Sequence, residues 1–392
     1  MVALTRFKPM RTVALIVGTR PECIKMAPLY FELMQSKTIR PVLVVTAQHR
    51  QMLDQTLAVF GLRPDVDLNL MQPGQGLADL TARVLTSVHS WISMARPDAV
   101  LVQGDTTTVL GSALAAFYAN VPVGHVEAGL RTDDMRSPFP EEMNRRLTAP
   151  LVRWNFCPTE QARENLLSEA IDDKSCTVTG NTVVDALLWT RARLQGLGQD
   201  AEVIARLGVP PEFAQSYLAN PKARWLLVTG HRRESFGLGF EQICRALQQL
   251  TERHPDLGVL YPVHLNPLVQ EPVHRLLGKN PRIALIAPAR YEDFVWLMDR
   301  ATVILTDSGG VQEEAPSLGK PVLVLRNTTE RVEAVAAGTC TLVGTDPARI
   351  CQETTRLLDD PAEYLRRSKL QNPYGDGTAA RKIRAVLEQD LG

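Results

Sequence analysis

Short apolar segments alternate with segments of helical periodicity along most of the chain. The apolar segments are rich in Val, Ile and Leu and do not alternate with polar residues, which is typical of strands buried on both faces of a parallel sheet. They cover residues 12–17, 42–45, 99–102, 121–126, 225–228, 259–262, 283–286, 303–305 and 322–325. Helical periodicity covers residues 24–35, 77–94, 107–119, 239–252, 311–318 and 348–358. This order predicts an α/β fold of the doubly wound type.

The alternation weakens between residues 182 and 224, where the sequence is polar, has a helical pattern and contains several glycines and prolines. A second series of strands and helices begins at Trp225. We therefore predict two domains, residues 1–185 and 186–375. A final helix over residues 378–391 follows a turn-rich segment, and its pattern leaves open which domain it joins.

Composition narrows the function classes. The 392 residues include 43 Lys and Arg and 43 Asp and Glu, so the formal net charge is +0, and 45% of the residues are hydrophobic. An intrinsically disordered chain would need low hydrophobicity and high net charge. The balanced charge also argues against a nucleic-acid partner held by a global basic field.

Cysteine usage and hydropathy predict a cytoplasmic protein without a membrane partner. The six cysteines are irregularly spaced and form no Cys-x-x-Cys pair, which favours reduced thiols. Residues 1–12 carry three basic residues, but the apolar segment 12–17 that follows is too short for the hydrophobic region of a signal peptide. Residues 106–126 contain no Lys, Arg, Asp or Glu, but their threonines, Asn120 and Pro122 predict a helix followed by a strand rather than a membrane span.

Polar groups follow five of the predicted strands at the point where each strand ends. Ligands of open α/β sheets bind beyond the carboxyl ends of the strands. We therefore expect these groups to converge on one edge and to line a polar cleft between the two domains. The groups are Gly18-Thr19-Arg20 with Lys25 on the next helix, Gly104-Asp105, Glu127 with Arg131, Gly230-His231-Arg232 and Asp307-Ser308-Gly309-Gly310.

Several of these groups also have a structural explanation. The Ser-Gly-Gly run 308–310 suits a phosphate at the start of a helix, and equally a tight turn between strand and helix. Glu314 suits a ribose hydroxyl or a solvated charge early in a helix. Asp105 and Glu141 are candidate acid/base groups, but each also stands where it would cap or begin a helix. His231 beside two arginines favours a diphosphate contact.

Known cofactor motifs are incomplete in this chain. The Gly-x-Gly at 237–239 lies too far beyond its strand for a dinucleotide fingerprint, and the Gly-Lys at 319–320 precedes Pro321 rather than the Ser or Thr of a Walker motif. His125-x-Glu127 begins a zinc deaminase signature, but no Pro-Cys-x-x-Cys follows it. The sequence therefore predicts neither a cofactor nor a metal.

Six ordered motifs together carry a family resemblance. They are VGTRPE at 17–22, QGDTTT at 103–108, HVEAGLRT at 125–132, PFPEE at 138–142, TGHRRE at 229–234 and TDSGGVQEE at 306–314. Over about residues 12–377 the chain resembles the non-hydrolysing UDP-N-acetylglucosamine 2-epimerases of bacteria. The resemblance implies a glycosyltransferase-B-like fold of two Rossmann-like domains facing a central cleft, with residues 376–392 packing back on the first domain. It also implies a homodimer.

The resemblance further implies a reaction. It is the reversible epimerisation at C2 of UDP-N-acetylglucosamine to UDP-N-acetylmannosamine, without NAD or metal, for bacterial surface polysaccharide precursors. No carbonyl flanks the C2 proton, so simple enolisation is unavailable, and the family is understood to eliminate UDP to 2-acetamidoglucal and add it back. Three alternatives stay open: a hydrolysing 2-epimerase, a UDP-sugar glycosyltransferase of the same fold and a nucleotide-sugar-binding regulator without turnover.

Roles for individual residues also come from the resemblance. The implied catalytic residues are Asp105, Glu127, Glu141 and His231. The implied substrate-binding residues are Arg20, Lys25, Arg145, Phe294, Ser308, Gly309, Gly310, Glu314 and Arg331. Gln48, Gln51, Glu141 and His264 fit the site of a second, activating UDP-N-acetylglucosamine. The chain departs from the family at Ala289, where some relatives have Gln, at Val332, where Pro is common, and near Gly74, where the expected basic residue is missing.

Overall fold

The computed structural model describes residues 10–48, 50–72 and 74–392. Most of segment 1–12, which we expect not to be a signal peptide, and His49 lie outside the described residues. The chain forms two units, Met1–Ala186 with Tyr374–Gly392, and Leu187–Pro373.

A seven-stranded parallel sheet forms the centre of the first unit, in the order β3-β2-β1-β4-β5-β6-β7. Its strands are β1 Arg11–Val17, β2 Ile39–Val45, β3 Val66–Asp67, β4 Ala99–Gln103, β5 Val123–Val126, β6 Trp154–Cys157 and β7 Cys176–Val178. Successive side chains of a strand point to opposite faces of its sheet. Leu15 and Val17 accordingly join one apolar core, while Ala14 and Ile16 join a core on the other face. Burial on both faces explains why β1 is apolar without alternation.

A six-stranded parallel sheet forms the centre of the second unit, in the order β10-β9-β8-β11-β12-β13. Its strands are β8 Arg224–Thr229, β9 Leu257–Pro262, β10 Ile283–Ile286, β11 Val303–Thr306, β12 Val322–Val324 and β13 Cys340–Leu342. Leu226, Val259 and Leu305 are fully buried in its core with Leu247 and Leu357 from the covering helices. The second unit therefore has a hydrophobic core of its own.

Helices connect the strands in both units. They are α1 Arg20–Met34, α2 Arg50–Phe60, α3 Leu77–Ala95, α4 Thr107–Tyr118, α5 Glu141–Thr148, α6 Glu160–Ser168, α7 Thr182–Leu197, α8 Asp200–Leu207, α9 Pro211–Phe213, α10 Leu238–Arg253, α11 Pro267–Leu277, α12 Tyr291–Arg300, α13 Gly309–Glu314, α14 Val332–Ala336, α15 Pro347–Asp359, α16 Pro361–Ser368 and α17 Ala379–Leu391. Among the described residues, no helix is both long enough and apolar enough to cross a membrane.

The predicted α/β class is confirmed, and each predicted strand is present within a few residues of its expected ends. Strands β3, β6, β7 and β13 were not predicted, because each has at most four residues and none is a continuous apolar run. In β6 the sequence is Trp-Asn-Phe-Cys, and the buried Asn155 interrupts the apolar pattern. The weakly alternating stretch 182–224 forms helices, as its pattern indicates.

The last helix belongs to the first unit, where Asp185 caps its start. The Asp185 carboxylate accepts hydrogen bonds from the backbone N–H groups of Ala379 at 3.3 Å and Ala380 at 2.9 Å. Further along α17, Ile383 and Leu387 are fully buried in the core of the first sheet. Burial raises the pKa of Asp185 to about 6, although these hydrogen bonds oppose the shift.

The raised pKa of Asp185 makes stability depend on pH. Between about pH 4 and pH 6 the folded protein holds a proton on this group that the unfolded chain has released. We therefore expect this group to lower the free energy of unfolding by up to about 3 kcal/mol as pH rises through that range. Urea unfolding of the wild type and of Asp185→Asn across the range measures the effect. The variant should lose this decline, and parallel profiles for the two proteins would contradict the assignment.

Candidate active site

Two carboxylates follow the neighbouring strands β4 and β5 of the first unit. Glu127 comes directly after β5, is 9% exposed and forms an ion pair with Lys25 of α1. Its Oε2 also accepts a hydrogen bond from Asn181 Nδ2 at 3.1 Å. The backbone φ of Glu127 is +67°, in the left-handed region that residues other than glycine rarely adopt. Backbone strain of this kind tends to occur at functional sites.

Asp105 follows β4 and is held by the guanidinium of Arg145. Nε of Arg145 lies 2.9 Å and Nη2 lies 2.7 Å from Asp105 Oδ2. The Asp105 carbonyl accepts a further hydrogen bond from Asn144 Nδ2 at 2.7 Å. Helix α4 is capped by Thr106, whose hydroxyl accepts from the Val109 N–H, so the alternative role of Asp105 as the cap is wrong.

Helix α5 brings two adjacent glutamates close to Arg145. Glu141 is the first residue of the helix, and its Oε2 is buried with no hydrogen-bond partner in the described part of the chain. Glu142 is fully buried and accepts hydrogen bonds from Arg145 at 3.1 Å and Arg146 at 2.9 Å. Burial acts to raise the pKa of Glu142, but these cations and the Thr132 N–H outweigh it and lower the pKa. Glu142 therefore holds the two arginines, whereas Glu141 has one buried oxygen without a hydrogen-bond partner among the described residues.

Glu22, which was not predicted as a site residue, joins the ends of β1 and β4. Its Oε2 accepts from the N–H groups of Gly18 at 2.6 Å and Thr19 at 2.7 Å, and its Oε1 accepts from the Thr106 hydroxyl. Burial raises the pKa of this carboxyl, although those hydrogen bonds act to lower it. Its position in the first turn of α1 could have indicated this role, because a glutamate there can accept hydrogen bonds from the backbone N–H groups at the end of the preceding strand.

Three other predicted residues of the first unit, Arg20, Gln48 and Gln51, differ in their burial and contacts. Arg20 begins α1 and is half-buried. Gln48 accepts a hydrogen bond from the Thr108 hydroxyl at 3.0 Å, whereas Gln51 is exposed on α2. The structure thus connects Gln48 to the segment after β4 and shows no such connection for Gln51 among the described residues.

In the second unit, an imidazole and a buried carboxylate meet at the ends of β8 and β11. Asp307 is 1% exposed, and its Oδ2 accepts from the N–H groups of His231 at 2.7 Å and Arg232 at 2.8 Å. The other oxygen lies 2.9 Å from His231 Nδ1. Burial acts to raise the pKa of Asp307, but the contacts with His231 and the backbone N–H groups outweigh it and lower the pKa. His264 stacks on His231 with a centroid distance of 5.8 Å.

The Ser-Gly-Gly run 308–310 leads from β11 into α13. A Cβ on Gly309 would lie 2.9 Å from Cζ of Arg331, whose guanidinium is held by Glu313 at 2.7 Å and 2.8 Å. The predicted ligands Glu314, buried in α13, and Phe294, half-buried in α12, belong to the same unit. The Arg331 side chain approaches position 309 so closely that it leaves no room for a Cβ. This is a reason for glycine there in addition to the turn between strand and helix.

The family resemblance implies that Arg331 contacts the sugar nucleotide, and on that basis we expect Gly309→Ala to weaken UDP binding, because its Cβ would displace the Arg331 guanidinium from its place beside the backbone. The loss of one charge-assisted contact corresponds to about 10-fold in Kd. Titration calorimetry with UDP measures it. Gly310→Ala is the matched comparison, since its Cβ would meet only Ser308 Oγ at 3.9 Å, and it should lose less affinity. Equal losses in both variants would contradict the role of the Arg331 contact.

The five polar strand ends do not lie on one edge. Three of them follow β1, β4 and β5 of the first sheet, and two follow β8 and β11 of the second sheet. The expectation of a single edge is therefore wrong, because the chain builds two separate sheets. No group of three or more His, Cys, Asp or Glu side chains suited to a metal occurs in residues 10–48, 50–72 and 74–392.

Comparison with known proteins identifies the family. A family model described as UDP-N-acetylglucosamine 2-epimerase matches residues 32–388. The UDP-N-acetylglucosamine 2-epimerase of Escherichia coli K12 is 54% identical over 379 residues, covering 96% of this chain and 98% of that protein.

Two solved structures extend the comparison. The Neisseria meningitidis UDP-GlcNAc 2-epimerase bound to UDP-GlcNAc is 44% identical with a TM-score of 0.83, covering 97% of this chain and 100% of that one. The Methanocaldococcus jannaschii enzyme in complex with UDP-GlcNAc and UDP is 32% identical with a TM-score of 0.74, covering 96% of this chain and 99% of that one. The glycosyltransferase-B-like fold class implied by the sequence motifs is thereby confirmed. By this similarity over nearly its whole length, the chain belongs to the UDP-N-acetylglucosamine 2-epimerase family.

Proposed function

We propose that this chain interconverts UDP-N-acetylglucosamine and UDP-N-acetylmannosamine by inverting C2 of the sugar. The observation that carries the proposal is the pair of carboxylates at the neighbouring ends of β4 and β5. Asp105 is held against Arg145 and Glu127 against Lys25. Positioned carboxylates are suitable acid/base groups. The name of the E. coli relative and the UDP-GlcNAc bound to the N. meningitidis relative support the same substrate.

In the proposed reaction, a carboxylate removes the proton from C2 while the C1–O bond to UDP breaks. UDP leaves with the bonding electrons, and the sugar becomes 2-acetamidoglucal with a C1–C2 double bond. Re-addition forms the C1–O bond again and delivers a proton to the opposite face of C2. Proton transfer on two faces calls for more than one group, and we assign this work to Asp105, Glu127 and Glu141.

The departing UDP needs compensation for its developing negative charge. We assign this role to His231, to the backbone N–H groups of the Ser-Gly-Gly run 308–310 and to Arg331. Glu314 is assigned to the ribose hydroxyls and Phe294 to one wall of the uracil pocket. In the first unit, Arg20, Lys25 and Arg145 are assigned to substrate contacts. Lys25 forms an ion pair with Glu127, and Arg145 forms one with Asp105. These two proposed substrate contacts therefore lie beside proposed acid/base groups.

Incubation in deuterium oxide with UDP-N-acetylglucosamine and no acceptor tests the proposal. Deuterium should appear at C2, together with UDP-N-acetylmannosamine. Chromatography of the products separates the alternatives: free N-acetylmannosamine with UDP indicates a hydrolysing enzyme, and UDP release only with an added acceptor indicates a glycosyltransferase. The absence of both deuterium exchange at C2 and the epimer would overturn the proposal.

We further propose, from the family resemblance, a homodimer that acts in the cytoplasm. The six cysteines are all free thiols in the structure, which suits a reducing compartment. Sedimentation of the purified chain tests the dimer.

We also propose that Gln48, Gln51, Glu141 and His264 bind a second, activating UDP-N-acetylglucosamine. A strictly hyperbolic rate curve, with no response of the reverse reaction to added UDP-N-acetylglucosamine, would overturn the activation.

A further inference from the structure

Asn181 is a buried amide that contacts Glu127 and that the sequence motifs did not select. It is 3% exposed and stands between β7 and α7. Its Oδ1 accepts a hydrogen bond from the Val183 N–H at 3.0 Å, and its Nδ2 lies 3.1 Å from Glu127 Oε2. An amide has one acceptor end and one donor end. Since the acceptor end is held by the start of α7, the donor end is directed at the carboxylate.

The backbone around Asn181 fixes the place of this amide. The Asn181 N–H donates to the Tyr374 carbonyl at 2.7 Å, at the point where the chain re-enters the first unit. Gly180 has a φ of +91°, and a Cβ there would lie 3.2 Å from the Tyr374 carbonyl oxygen. Asp185, in the first turn of α7, caps α17, whose start follows Tyr374 closely in sequence. Contacts on both sides of Asn181 therefore tie this segment to the returning chain.

We propose that Asn181 is a positioning residue for Glu127. Its amide fixes the orientation of the carboxylate beside Lys25, so that Glu127 meets the C2 proton in a single geometry. This inference rests on the proposed function, because it assigns Glu127 to proton transfer. In this proposal Asn181 acts through Glu127, so its loss should lower the rate of proton transfer and leave substrate binding largely intact.

Replacement of Asn181 by aspartate tests the inference. Asn181→Asp keeps an oxygen for the Val183 N–H and places a second oxygen, in place of the donor, against Glu127 Oε2. We expect kcat to fall about 10- to 100-fold, the cost of a misplaced reacting group. KM and the Kd for UDP should change by less than about three-fold. Asn181→Ser, which also removes the amide donor, guards against a folding defect specific to the aspartate.

Asn280→Asp is the matched control. Asn280 makes a similar pair of contacts in the second unit, since its Oδ1 accepts from the Arg282 N–H at 3.0 Å and its Nδ2 donates to a hydroxyl rather than a carboxylate, Thr251 Oγ1, at 3.0 Å. It should lose stability without the fall in kcat. Deuterium exchange at C2, thermal unfolding, kcat and KM are measured for all variants.

The outcomes separate this inference from the proposed function. A selective fall of kcat and of C2 exchange in folded Asn181 variants supports the positioning role. An active wild type with undiminished Asn181 variants, or an equal fall in Asn280→Asp, overturns this inference alone. A wild type without exchange or epimer overturns the proposed function and this inference with it.

Discussion

Glu127→Gln is expected to lower kcat about 1,000-fold, within the range that general acid–base groups contribute. The glutamine is nearly isosteric, but it cannot take or return a proton, and it leaves Lys25 without its carboxylate partner. The Kd for UDP should change little, because the proposed diphosphate and uracil contacts lie in the second unit. Steady-state rates, C2 deuterium exchange and calorimetry with UDP measure these quantities.

A matched substitution controls for the change of charge. Glu160 begins α6 in the same unit, and its side chain is 71% exposed beside Arg163. Exposed ion pairs of this kind contribute little to stability, so Glu160→Gln should keep the wild-type rate. A Glu127→Gln variant that retains more than about a tenth of kcat would remove Glu127 from the acid/base set, because that loss is below the contribution of a general acid or base.

The long apolar strands were predictable from the sequence because burial on both faces leaves a continuous signal. The positions of Asp105, Glu127 and His231 were predictable for a related reason, since each follows such a strand. Their hydrogen-bond and ion-pair partners have no comparable signal. Arg145 lies 40 residues from Asp105 in the chain, and hydrophobic periodicity carries no information about that pairing.

Asn181 shows most clearly where prediction from the pattern stopped. It follows β7, a strand of three half-buried residues that has no apolar run to mark it. Without that strand, its end could not be searched for polar groups, and the contact between Asn181 and Glu127 spans 54 residues. Asp307, by contrast, follows a recognised strand, but its role beside His231 depends on the pairing of β8 with β11.

Asp307→Asn is expected to lower kcat/KM about 100- to 1,000-fold, somewhat less than the loss seen when the orienting carboxylate of a catalytic triad becomes an amide. The wild-type carboxylate accepts two backbone N–H groups with one oxygen and lies 2.9 Å from His231 Nδ1 with the other. An asparagine that keeps the backbone contacts must turn its NH₂ group toward Nδ1. The imidazole is then forced to carry its proton on Nε2, and the carboxylate beside Nδ1 is replaced by a neutral amide.

Rates and thermal unfolding are to be measured for Asp307→Asn together with Asp256→Asn. Asp256 belongs to the same unit and pairs with Arg224 at 2.8 Å, but its side chain is 59% exposed, and its removal should leave kcat/KM near the wild-type value. If Asp307→Asn folds and keeps kcat/KM within about three-fold of the wild type, the orientation of His231 by Asp307 does not contribute to the reaction. A large loss of kcat/KM in an Asp307→Asn variant with native-like folding would instead support a role in the reaction for the carboxylate that lies beside His231.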